Sequence, residues 1–215
     1  MSAGADIGRA EIEQALIERH GQDIFYKLQN AKAAIAGLGG LGSNIAMLLV
    51  RAGIGGLLLV DFDTVDITNL NRQNYYIRHI GMPKTKATKE LLHEINPYVE
   101  IETKNILVTE ENAAETFKDY NIICEAFDRA ENKAMLVNSM LCENKTVVSG
   151  SGMAGYLSSN TIKTRKITDA FYICGDGITD SADVNGLMAP RVSICAAHQA
   201  NMILRIILGE TDMIV

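Results

Sequence analysis

The stretch IAGLGGLGSNIA, residues 35–46, decides the fold. Gly37, Gly39, Gly40 and Gly42 form G-x-G-G-x-G between two apolar segments. Upstream, KAAIAG (32–37) reads as a short buried strand. Downstream, Ile45, Leu48, Leu49 and Ala52 recur at helical spacing until Gly53 stops the helix. A strand that turns into a helix through glycines lets the backbone approach phosphate oxygens closely and aims the positive end of the helix dipole at them. The turn suits the pyrophosphate of NAD and the phosphates of ATP equally, so the ligand has to be read from its surroundings.

Outward from the turn the chain alternates strand and helix. GLLLVDFD (56–63) is a second strand, VEIETKNILV (99–108) a third, YNIICEAFD (120–128) a fourth and TVVSG (146–150) a fifth. Helices are expected over 84–95, 110–117 and 129–143. This rhythm predicts an α/β, Rossmann-like, mostly parallel sheet with helices on both faces. After residue 150 it changes. YLSSNTIKTRKITDAFYIC (156–174) reads as two short antiparallel strands joined near Thr168-Asp169. Residues 175–189 are rich in Gly and Asp and read as a mobile crossover loop. The last helix starts at Pro190, stops at Gly209 and is apolar nearly all round, so burial or a subunit interface is expected for it. Residues 1–30 form an N-terminal helical extension, with Ile12, Leu16, Ile17 and Ile24 near one face and Gly21 as a weak point. The whole of 1–215 is read as one domain.

Composition narrows the class. The chain has 215 residues, 47% of them hydrophobic and 21% charged, which suits an ordinary globular domain. A net charge of -6 disfavours nucleic acid and membrane surfaces as partners. The beginning lacks a basic patch followed by a long apolar core, and no apolar run reaches membrane-spanning length, so a cytoplasmic location is expected. The cysteines (124, 142, 174 and 195) form no C-x-x-C and no two histidines stand at i, i+4, so no zinc is expected.

In such a sheet ligands sit outside the carboxyl ends of the strands, at the point where strand order reverses. The glycine turn, Asp61, the long polar loop 64–82 and Asp128 all converge there. Asp61, about twenty residues past the turn, occupies the place of a ribose-binding carboxylate for NAD or ATP alike. The loop separates the two. Its NLNRQ (69–73) supplies Asn69, Arg72 and Gln73, and the helix after it opens with Lys84. An arginine and a lysine at one mouth suit a triphosphate. Asp128, ending an apolar strand at the same edge, suits a magnesium ion bridging phosphates, although an Asp there also serves as a helix cap.

Six motifs in order, GLGGLGSNIA, RAGIGGLLLVDFD, NLNRQ, GMPKTKA, FDRAENK and GLMAPRVS, resemble those of the ThiF/MoeB/HesA proteins, bacterial relatives of ubiquitin-activating enzymes, over roughly residues 30–208. The short chain and ICAAHQAN in its last helix are most similar to the compact ThiF-type branch of thiamine biosynthesis. The resemblance implies ATP-dependent adenylation of the C-terminal glycine of a ubiquitin-like sulfur carrier (ThiS-like), with release of pyrophosphate, by a homodimer. It places Gly37, Gly39, Gly40 and Gly42 on the phosphate turn, Asp61 on the ribose, and Asp63, Asn69 and Gln73 on the nucleotide. Arg72 and Lys84 fall on the triphosphate and Asp128 on magnesium. A family arginine from the partner subunit has Arg19 as its nearest candidate. Cys174 stands where some relatives carry a cysteine for later sulfur or acyl transfer. The zinc-binding cysteine pairs of many members are missing. Rival readings are activation of another carrier, such as the small subunit of molybdopterin synthase, an NAD(P)-dependent oxidoreductase, and a binding module that holds a carrier without activating it.

Overall fold

A computed structural model describes residues 7–180, 182 and 186–212. Seven strands form one sheet in the order β3-β2-β1-β4-β5-β7-β6. They are β1 (Lys32–Ala36), β2 (Gly56–Val60), β3 (Glu100–Lys104), β4 (Ile122–Glu125), β5 (Thr146–Gly150), β6 (Lys163–Thr168) and β7 (Phe171–Gly175). All neighbours are parallel except β6 and β7. Strand order reverses between β1 and β4, which opens a crevice at their carboxyl ends.

Alternation along the strands divides the core in two. Ile35, Leu57, Leu59, Cys124, Val148 and Tyr172 face one side, covered by α3 (Gly40–Ala52), by Leu92 of α4 (Lys84–Ile95) and by α7 (Ala189–Leu208). Ala34, Leu58, Val60, Ile123 and Val147 face the other, under α5 (Glu110–Phe117) and α6 (Ala130–Cys142). Because both faces are covered, the strands read as continuous apolar runs and not as alternating ones.

Several expectations change in detail. The N-terminal helix is two helices, α1 (Arg9–His20) and α2 (Gln22–Gln29), broken at Gly21, whose φ of 82° a side chain would resist. No residue of α1 is buried. The face turned inward by α2 carries Phe25 and Leu28, whereas Ile24 is exposed. Loop 64–82 is ordered. Its ends are joined by Val65 N–H to Met82 O and Gly81 N–H to Val65 O, and Val65 and Tyr75 pack on Ala87 and Leu91 of α4. The last helix is not buried all round: it seats one face on α3 and the sheet, and Ile194, Leu204, Ile206 and Ile207 stay partly exposed. β7 adds to the main sheet beside β5, so the terminal hairpin extends the sheet. Among the described residues no helix is long and apolar enough to cross a membrane.

Candidate nucleotide site

A cleft of about 420 Å³ opens at the switch point. Its lining brings together Gly37, Gly39, Gly40, Asp61, Asp63, Asn69, Arg72, Gln73, Lys84 and Asp128, which are all of the nucleotide-site candidates read from sequence except Gly42. The glycines do different work. Gly37 adopts φ 92°, and a Cβ there would lie 2.8 Å from the Ala126 carbonyl oxygen. A Cβ on Gly42 would collide with the carbonyl oxygen of Gly37 and touch Ile35, so this glycine seats α3 against β1 and does not face the cleft. At Gly39 the nearest neighbour of such a Cβ is Gln73 Nε2 at 3.8 Å, and φ is negative, so the space it would fill is the cleft itself.

Asp61 braces the turn. Its carboxylate accepts the Leu38 N–H at 2.6 Å and the Asp63 N–H at 2.8 Å. Burial raises its pKa, and Lys84 together with the two amides opposes that rise. A carboxylate has lone pairs beyond those two bonds, so it can still receive hydroxyl donors. On the other side of the turn the Tyr75 hydroxyl donates to Leu38 O at 2.8 Å, which no motif had suggested. Lys84 is only 5% exposed, and its Nζ is paired with Asp63 Oδ2 at 2.7 Å. Arg72 is held from one side by Thr68 O and Asn71 Oδ1. Its Nε, and Oε1 of the neighbouring Gln73, are buried without a hydrogen-bond partner among the described residues. Such orphaned groups beside a cleft are satisfied when a polar ligand enters.

Asp128 stands on the opposite lip, exposed. It does not cap α6: the N-cap is Arg129, with no side-chain cap hydrogen bond. Among the described residues no group of three or more His, Cys, Asp and Glu gathers as a metal cage. One carboxylate at a phosphate site is nevertheless a normal protein share for Mg²⁺, whose other oxygens come from phosphate and water.

Three features besides Tyr75 are not read from the sequence. Glu125, fully buried at the end of β4, accepts the Phe127 N–H, the Ser149 hydroxyl and both bonds of Lys133 Nζ, and so fixes the turn that carries Asp128. The glutamate inside the apolar run IICEAF was the available signal, since a charge in a central strand needs a partner. Gly150, Ser151, Gly152, Met153 and Ala154 line the side of the cleft past β5. Arg191, at the start of α7, pairs with Asp176 at 2.6 Å.

Cys174 lies apart from the other candidates: it is fully buried and does not line the cleft, and burial pushes its thiol up to about 11, opposed by a hydrogen bond with Thr164. Arg19 is exposed on α1 and is not part of the cleft lining. Of the crossover segment, Thr179, Asp180 and Leu187 line the cleft, while 181 and 183–185 lie outside the described residues.

A glycine turn at the switch point, with basic side chains and carboxylates around one cleft, defines a Rossmann-like nucleotide-binding protein. Within that class the chain belongs to the ThiF family, whose sequence profile matches residues 12–214. A molybdopterin-synthase adenylyltransferase of Haemophilus influenzae is 34% identical over 179 residues, covering 81% of this chain and 73% of that protein. The adenylyltransferase and sulfurtransferase UBA4 of Candida glabrata is 32% identical over 190 residues, which is 85% of this chain but 44% of UBA4. The chain therefore spans less than half of that relative. In fold it matches the E. coli tRNA N6-threonylcarbamoyladenosine dehydratase TcdA in complex with AMP, with a TM-score of 0.85 at 20% identity over 96% of this chain and 99% of that one.

Proposed function

We propose that this chain is an ATP-dependent adenylyltransferase that activates the C-terminal carboxylate of a ubiquitin-like carrier protein. One observation carries the reading: the glycine turn, Arg72 and Lys84 share a cleft with an exposed carboxylate, Asp128. The relatives named as adenylyltransferases support it. A nicotinamide enzyme would need apolar walls for its ring and a proton donor beside it. The lining here is rich in charges instead.

A carboxylate is ionised at neutral pH, so the attacking group needs no general base. Its oxygen forms a bond to the α-phosphorus of ATP as the bond to the bridging oxygen breaks, and pyrophosphate departs with the electron pair. The protein's work is to align these atoms and to offset charge on the leaving group. The backbone at Gly39 and Gly40 receives the phosphates, Arg72 and Lys84 neutralise them, and Asp61 holds the ribose. Asp128 would hold Mg²⁺, which supplies charge neutralisation across the phosphates.

The carrier is read as ThiS-like from ICAAHQAN in the last helix and from cysteines that form no C-x-x-C pair; the similarity to a molybdopterin-synthase adenylyltransferase raises the corresponding carrier as the rival. The fold shared with a tRNA-modifying dehydratase raises a nucleic-acid substrate, against which the net charge of -6 argues. The family resemblance also carries a homodimer. The test is ATP–pyrophosphate exchange with each carrier in turn. Exchange that depends on one carrier selects it, and no exchange with either defeats the reading.

A further inference from the structure

A buried ion pair outside the nucleotide site holds together one whole side of the cleft. Arg191 is 3% exposed and sits in the first turn of α7, where a cation faces the unfavourable positive end of the helix dipole. Its guanidinium donates to Asp176 Oδ2 at 2.6 Å, to Ser158 O at 2.6 Å and to Leu157 O at 2.9 Å. Asp176 in turn accepts the amides of Ile178 and Thr179, both at 2.9 Å, and the Thr179 hydroxyl. Its own amide donates to Gly152 O at 2.9 Å. The fit is tight: a Cβ on Gly152 would collide with Asp176 Oδ1. One pair thus ties the segment after β5, the segment after β7 and α7 into a single unit.

That unit forms the side of the cleft across from Arg72 and Lys84. Gly152, Met153, Ala154, Thr179 and Asp180 line it, while Arg72, Lys84 and the glycine turn lie across from it. The triphosphate has its charge partners on the far side. This side, with little side-chain bulk apart from Met153 and Asp180, is left for the second reactant, which must bring its carboxylate on a slender extended segment and toward the cations across from it.

We propose that Asp176 and Arg191 are a positioning pair for the carboxylate-bearing substrate, setting the small-residue wall against which that segment lies. The proposal rests on the adenylation reading. Its test is steady-state exchange by the full chain with a ThiS-like and a molybdopterin-type carrier, together with hydrogen exchange of the free protein. Arg191→Met should speed amide exchange in 152–158 and 176–179 together, by about tenfold or more, because one contact holds both. It should raise KM for the carrier about tenfold and leave kcat and KM for ATP within about twofold. The double variant Asp176→Asn/Arg191→Met leaves no unpaired buried charge and should show the same split if the single variant folds poorly. Asp176→Asn/Arg191→Gln, which keeps neutral hydrogen-bonding groups at both positions, should recover part of the carrier KM. Wild-type exchange with an unchanged carrier KM in both Met variants, or an equal loss for ATP and carrier, overturns the pair's role. Silence of the wild-type chain with both carriers overturns the adenylation reading instead, and with it the identity of the substrate.

Discussion

The two sides of the cleft are built by opposite means. On the side of β1 and β2, charge is displayed: Arg72, Lys84 and the glycine turn line the cleft, restrained by Asp61 and Asp63 within the lining and by Tyr75 from behind it. On the side of β5 and β7, the charge of the ion pair is hidden: Asp176 and Arg191 are held by each other and by backbone, and what faces the cleft is mostly small, with Asp180 beside it. The first arrangement favours binding an anion. The second supplies shape, because a buried pair held by several hydrogen bonds fixes geometry more than it adds stability. The same residue types therefore serve recognition in one place and rigidity in the other, and a place in the cleft lining decides which.

That contrast can be broken most sharply on the charged side. Arg72→Ala and Asp128→Ala should each lower carrier-dependent pyrophosphate exchange by about two to three powers of ten, with the far-ultraviolet circular dichroism and Tm unchanged. Exchange near the wild-type rate in both would remove them from the chemistry. Glycine substitutions divide the turn itself. Gly42→Ala should cost about 1–3 kcal/mol in urea unfolding through overpacking between α3 and β1. Gly39→Ala should leave unfolding nearly untouched yet weaken ATP binding by about tenfold or more, about 1.4 kcal/mol by calorimetry, since its methyl group enters the cleft. Identical effects at both glycines would mean that the turn has no division of labour.

The hidden side has a pH signature. Burial alone would raise the Asp176 carboxyl, but the amides of Thr179 and Ile178, the Thr179 hydroxyl and Arg191 together hold it below its ordinary value of 3.8. An acid with a lowered folded pKa stabilises the fold fully above its unfolded pKa and loses that contribution as pH falls through the folded value. Protection factors of the amides of 176–179, which correct for the intrinsic pH dependence of exchange, should therefore hold down to about pH 5 and fall below about pH 4, and Asp176→Asn should flatten that dependence. The smallest expected effect concerns the thiols. Cys124, Cys174 and Cys195 are buried, with the last two pushed up to about 11 and about 12 by desolvation. Alkylation of the native protein should label Cys142 alone and leave exchange activity intact; rapid labelling of Cys174 would reopen a chemical role for it.

The strand–helix alternation was legible because both sheet faces are covered, which turns each strand into an apolar run, and because Gly53, Pro190 and Gly209 mark helix ends by backbone chemistry. The candidate residues at strand ends were legible for a related reason: a parallel sheet brings the ends of β1, β2 and β4 to one edge whatever the intervening helices contain. Gly42 was read as a ligand contact because a glycine's need for close approach does not say what approaches. Cys174 was read as a candidate nucleophile because it adjoins a polar loop, and sequence adjacency carries no information about the helix laid over it. Glu125 went unremarked although its charge in a central strand was visible.

By itself, then, the sequence determined the α/β architecture, the glycine turn with its phosphate geometry and the set of polar residues at the strand ends, since these follow from local periodicity, caps and φ preferences. Only the tertiary structure decided how those residues divide their work: Asp61 bracing the turn, Lys84 paired with Asp63, Glu125 fixing the Asp128 turn, and Asp176 meeting Arg191 fifteen residues away. Such pairings depend on which segments the sheet order brings together and on how much water they exclude, and neither quantity is carried by any one stretch of chain.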